Sequence, residues 1–108
     1  MHYGVIVRLL TNVNKTSLPA TVHFLPDRIQ IDAEGTRWSP CIVGRERSTG
    51  LWEAWLEFRP EDGRPRRVTD RETTQPNHNA LEYWAGGLEP VYFEGAFLRA
   101  RQDSLARD

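Results

Sequence analysis

The densest polar run in the chain is Arg71-Glu72-Thr73-Thr74-Gln75-Pro76-Asn77-His78. It sits where a strand pattern gives way to a helix pattern, and segments at such junctions often carry function. N–H groups at the helix start, with Arg71 beside them, could hold an anion or a small ligand. Arg71, Thr73, Gln75 and His78 are the candidate contacts. The same run also has an ordinary structural explanation. Thr74 or Asn77 can cap the helix, Gln75 can bond loop backbone, and the run lacks the glycines of a phosphate loop. His78 and Glu82 stand four apart, a spacing that can place two metal ligands on one helix face. His2 and His23 are far away in sequence, so no third ligand is implied. A solvated helix face accounts for the pair, and no metal or other cofactor is expected.

Glu53 and Glu57 share one face of a strand pattern, four residues and so about 13 Å apart along the backbone. Paired carboxylates are the arrangement of glycoside chemistry, which brings two such groups within about 5–9.5 Å of each other. Alternate glutamates are also common strand decoration, and Arg45 is placed to neutralise Glu53. Cys41 lies inside an apolar strand and should behave as a small hydrophobe. Ser39, Ser48 and Thr49 have no nucleophile motif around them. The balance of these observations is against an enzyme. Arginine and tryptophan offer a different chemistry. Trp38, Arg45, Arg47 and Trp55 fall on neighbouring strands, and these two residue types dominate protein-interface hot spots. The same pairing can stack bases and hold phosphates.

The element that must position these side chains is Leu51-Trp52-Glu53-Ala54-Trp55-Leu56-Glu57-Phe58. It alternates apolar and polar residues, with turn residues on both sides. Trp52, Ala54, Leu56 and Phe58 should face the core; Glu53, Trp55 and Glu57 share the other face, which sets an indole among charges, with Trp55 either covered by the helix or exposed beside arginines. Pro40 to Arg47 pairs with it through Ser48-Thr49-Gly50, Gly50 taking the positive φ of a three-residue hairpin loop. Ile42 then meets Leu56, Val43 meets Trp55, Gly44 meets Ala54, and Arg45 meets Glu53 as an exposed ion pair.

Six further elements follow from pattern. Gly4 to Thr11 reads as a strand, followed by a polar loop from Asn12 to Ser17. Ala20 to Leu25 and Arg28 to Asp32 read as a hairpin about Pro26-Asp27, with Phe24 facing Ile29 and Val22 facing Ile31. Arg66 to Arg71 reads as a polar edge strand. A Glu61-Asp62-Gly63 loop would pair Val68 with Leu56; the alternative, Val68 opposite Glu57, mismatches the faces. A short helix follows near residues 76–86, with Leu81, Trp84 and Leu88 as its apolar stripe and Gly86-Gly87 as its stop. Glu89-Pro90 then re-enters extended structure, Val91 to Arg99 reads as a last strand, and Gln102 to Asp108 should fray. The expected fold is mainly β: a strongly bent antiparallel meander or small β-barrel with one short α-helix.

At 108 residues the whole chain, 1–108, reads as a single domain. Apolar residues are 39% and charged residues 27%, a globular composition. The net charge of −1 sets up no overall field for a polyanion. One cysteine excludes an intrachain disulfide and fits a reducing cytoplasm. Mean hydropathy is −0.60, and no run approaches the length of a membrane span.

Three blocks resemble a group of short bacterial proteins of unknown function. They are Gly44-Arg45 with Leu51 to Phe58; Glu72-Thr73-Thr74-Gln75-Pro76-Asn77 with Leu81-Glu82-Tyr83-Trp84-Ala85; and Gly87-Leu88-Glu89-Pro90-Val91-Tyr92-Phe93-Glu94-Gly95-Ala96. The resemblance spans residues 40–100 and implies a free-standing bacterial, cytoplasmic protein; it brings no activity, cofactor or site residue. The functional expectation is a non-enzymatic β-domain that binds another protein or a second copy of itself. Trp38, Trp55, Arg45 and Arg47 are its contacts. Single-stranded nucleic-acid binding through the same residues is the alternative, and a ligand site at Arg71 to His78 the third.

Overall fold

The computed structural model describes residues 18–47 and 49–102. The strand expected over Gly4 to Thr11, the loop that follows it, Ser48 and residues 103–108 lie outside that range. The centre of the fold is the expected hairpin. Strand β1 (Ala20–Phe24) and strand β2 (Gln30–Ile31) precede it, and its own strands are β3 (Arg37–Glu46) and β4 (Trp52–Pro60). The β3–β4 register runs from Trp38 opposite Pro60 to Glu46 opposite Trp52, and every expected pairing is made. Gly50 has φ 86°, a conformation that costs other residues a Cβ clash.

β1 and β2 do not pair with each other. Both lie antiparallel along the same edge of β3, joined by a single turn of tight helix at Pro26–Arg28. Proline at the first position of that turn carries the chain onward instead of reversing it. The reversal comes at Asp32–Thr36, where the Asp32 carboxylate accepts from the Glu34 and Thr36 backbone N–H groups at 3.0 and 2.9 Å. The expected Phe24–Ile29 and Val22–Ile31 pairs are therefore absent.

On the other edge of β4 lie β5 (Arg67–Val68) and β6 (Thr73–Gln75). Val68 stands opposite Glu57, the register that the alternation argued against. The odd-numbered face of β4 is covered as well as the even one, so an apolar residue there is no mismatch. Cys41, Val43, Trp55 and Val68 form a second buried cluster on it. Between β5 and β6 the strand bulges. Thr69 exchanges two hydrogen bonds with Leu56, its N–H donating to the carbonyl and its hydroxyl accepting from the N–H. β5 is not an edge, because β7 (Arg101–Gln102) pairs with its far side. The sheet is open along the order β1-β3-β4-β5-β7, so a closed barrel is not the architecture of the described residues.

Two helices cover the even-numbered face, where one was expected. Helix α1 (His78–Gly86) starts at Asn77, whose side chain accepts from the Ala80 N–H at 2.8 Å. Leu81 and Ala85 are buried, with Trp84 and Leu88 packed beside them. Helix α2 (Pro90–Arg99) replaces the expected last strand. Its aromatic residues suit a strand. Pro90 fits the first helical position, however, and Phe93, Ala96, Phe97 and Ala100 recur at helical spacing and are all buried. Burial of that stripe against Trp38 and Phe58 outweighs local propensity.

Gly44 sets how closely α1 approaches the sheet. A Cβ there would stand 2.9 Å from both Leu81 Cδ2 and Val22 Cγ2. Gly44→Val should cost about 1–3 kcal/mol by overpacking, read as a lowered urea midpoint with unchanged slope. An unchanged midpoint would show that α1 has room to move.

Candidate functional site

The odd-numbered face of β4 carries the site. Strand alternation puts Glu53, Trp55 and Glu57 side by side on it. All three are covered: Trp55 is 5% exposed, and both carboxylates are buried. A carboxylate taken from water must be paired, and each of these is. Glu53 Oε2 accepts from Arg45 Nε at 3.0 Å and Nη2 at 2.8 Å, and Glu53 Oε1 accepts from Arg47 Nη1 at 3.1 Å. Arg71 Nη1 stands 3.7 Å from the same Oε1. Glu57 Oε1 takes Arg66 Nη1 at 3.1 Å and lies 3.5 Å from Arg59 Nη2. Its Oε2 accepts from Trp55 Nε1 at 3.1 Å. The Arg45 guanidinium also lies over the Trp55 ring, 5.4 Å from its centroid.

The arginines reach these carboxylates from different parts of the chain. Arg45 comes from the end of β3 and Arg47 from just past it, Arg59 from β4, Arg66 from the loop before β5, and Arg71 from the bulge before β6. Their side chains are 37 to 56% exposed. Among the described residues, five guanidiniums gather about these two carboxylates. The Arg45–Glu53 contact is thus not the isolated surface pair expected from sequence.

The electrostatics set the chemistry. Burial works to raise the Glu53 pKa, but hydrogen bonds and charge from Arg45 and Arg47 outweigh it and hold the group below its ordinary value. A general acid needs the opposite shift, so Glu53 is a charged anchor and not a proton donor. Cys41, opposite Glu57 in the register, is 2% exposed, and burial pushes its thiol pKa up, away from thiolate chemistry.

Among the sequence candidates, Arg45, Arg47 and Arg71 come together around Glu53, and Trp55 lies under Arg45 with its indole N–H on Glu57. Trp38 does not join them. It lies on the other face, 2% exposed, donating from Nε1 to Asp32 Oδ2 at 3.0 Å with Arg67 stacked on it at 4.5 Å. Neither Trp38 nor Trp55 offers a surface ring, which removes the interface anchors and base-stacking platform expected of them. Thr73, Gln75 and His78 serve local structure: Gln75 Nε2 donates to Thr73 Oγ1 at 2.7 Å, and the His78 ring packs edge-on against Trp52 at 4.7 Å. His78 Nδ1 lies 3.6 Å from Glu82 Oε2. Among the described residues no three His, Cys, Asp or Glu side chains gather as around a metal ion. Gln75 also lines an open groove with Ala80, Tyr83, Trp84 and Leu88.

Arg59 and Arg66 were outside the sequence candidates. The signal that could have found them is Glu57 itself, since a second buried carboxylate on that face demands partners. Comparison with family models, with curated proteins and with solved structures returns no match to this chain.

Proposed function

We propose that this protein is a non-enzymatic binding module that docks an acidic segment of another protein on the arginine face of β4. One observation carries the proposal: five half-exposed guanidiniums ordered by two buried carboxylates. Arginine normally loses rotamer freedom when it binds. Here Glu53 and Glu57 already hold the heads, so less ordering remains to be done at contact. The tryptophan on this face acts from beneath, as support for Arg45, and an acidic polypeptide needs no stacking ring.

The test is binding of fluorescent poly-L-glutamate across a salt titration. Affinity should fall steeply as salt rises. A combined Arg47→Gln, Arg59→Gln and Arg71→Gln variant should lose about tenfold or more, each lost charge-assisted contact being worth about 1.5–3 kcal/mol at most. Salt-independent binding, or binding retained by that variant, would sink the proposal. Tighter binding of a single-stranded oligonucleotide at equal salt would transfer the face to nucleic acid.

A further inference from the structure

The two ends of the arginine face are not equivalent. Around Glu57 two guanidiniums meet one carboxylate. Around Glu53 three meet one, and they arrive from the end of β3, from just past it and from the β5–β6 bulge. At the Glu53 end the three guanidiniums exceed the one carboxylate by two formal charges. A guanidinium carries several N–H donors in a rigid fork. Glu53 takes two of these from Arg45 and one from Arg47. Arg71, at 3.7 Å, stands beyond hydrogen-bond reach of the carboxylate. Most of the donor capacity of three half-exposed heads is thus uncommitted to Glu53.

From this geometry we infer that Arg45, Arg47 and Arg71 form a site for a phosphate monoester, anchored from below by Glu53. A phosphate monoester carries a charge of about −1.5 to −2 at neutral pH and three acceptor oxygens. It matches the two surplus charges and the three separate forks better than one carboxylate does. Arginine pairs with phosphate bidentately. The inference rests on the acidic-partner proposal above and narrows it. The acidic segment would present a phosphorylated residue at the Glu53 end and ordinary carboxylates toward Glu57.

The test uses the full chain and calorimetric titration with three versions of one short Gly/Ser/Glu peptide. Its central residue is serine, glutamate or phosphoserine; inorganic phosphate is a fourth probe. The phosphoserine peptide should bind at least about tenfold tighter than the glutamate peptide. That advantage should shrink as the pH drops through the second phosphate pKa of about 6. Arg71→Gln should abolish the advantage, Arg71→Lys should keep only part of it, and Arg59→Gln should leave it intact. Thermal melts of each variant check that the fold is kept, which the exposure of Arg71 favours.

Binding of the glutamate peptide with no phosphoserine advantage overturns the inference and leaves the acidic-partner proposal standing. No binding of any peptide overturns both. Inorganic phosphate binding as tightly as the phosphoserine peptide, and lost in Arg71→Gln, supports the phosphate site and assigns it to free phosphate.

Discussion

Phe58→Ala should lower the stability of this protein by about 3–5 kcal/mol, the usual cost of emptying a fully buried aromatic site. Phe58 is 0% exposed and is the meeting point of sheet and helix α2, its ring edge-on to Phe97 at 5.1 Å. Alanine would remove the contact that seats α2 on β4. It would leave a cavity that the sheet cannot close, because β3 pairs with β4 along its whole length. A domain of this size is stable by about 5–15 kcal/mol, so the variant should melt well over 10 °C lower. Leu98→Ala is the control: Leu98 lies on the outer side of the same helix, 85% exposed. Its loss should change stability by no more than about 0.5 kcal/mol. Equal effects from the two variants would contradict the position of α2.

Glu53→Gln should cost about 1–3 kcal/mol at neutral pH. Breaking a buried ion pair by removing one partner commonly costs about 3–5 kcal/mol. Here the arginines are half-exposed, and water screens part of the uncompensated charge. The loss should depend on pH with a definite sign. Glu53 is held below its ordinary value of 4.5 in the folded protein. Folding therefore favours the ionised form, and this contribution is complete above about pH 4.5. It fades as the pH falls below that value toward the lowered folded pKa. Urea unfolding of wild type and variant should accordingly differ at pH 7 and converge in acid. Asp32 adds a second, lower window. The Trp38 indole N–H, with backbone N–H groups and Arg64, brings its pKa from 3.8 to about 2. Wild type and variant should both lose the Asp32 contribution over that range. A gap between wild type and Glu53→Gln that stays constant from neutral pH into acid would mean that Glu53 acts by packing and not by charge.

The β3–β4 hairpin was legible residue by residue. Its register rests on period-two alternation and on a glycine needed at one turn position, both local properties. The start of α1 was legible for the same reason, because a cap is a contact between an asparagine and a backbone N–H three residues on. Other features were not local. Val91 to Arg99 has the residue types of a strand and the spacing of a helix, and only the buried stripe against Trp38 and Phe58 decides between them. Pro26 could begin a reversal or a helical turn, and the free edge of β3 selected the turn.

The alternation of β4 correctly named its two faces but not their surroundings. A polar pattern signals water only when nothing else reaches that face. Here arginines from positions 45, 47, 59, 66 and 71 reach it through strand register and the bulge after β5, which no short window of sequence contains. The sequence by itself determined which residues share each face of the central strand. Only the tertiary structure decided that both faces are covered and that the two glutamates are buried anchors. The reason is that burying a carboxylate requires partners from distant segments, and those partners converge only after the sheet has formed.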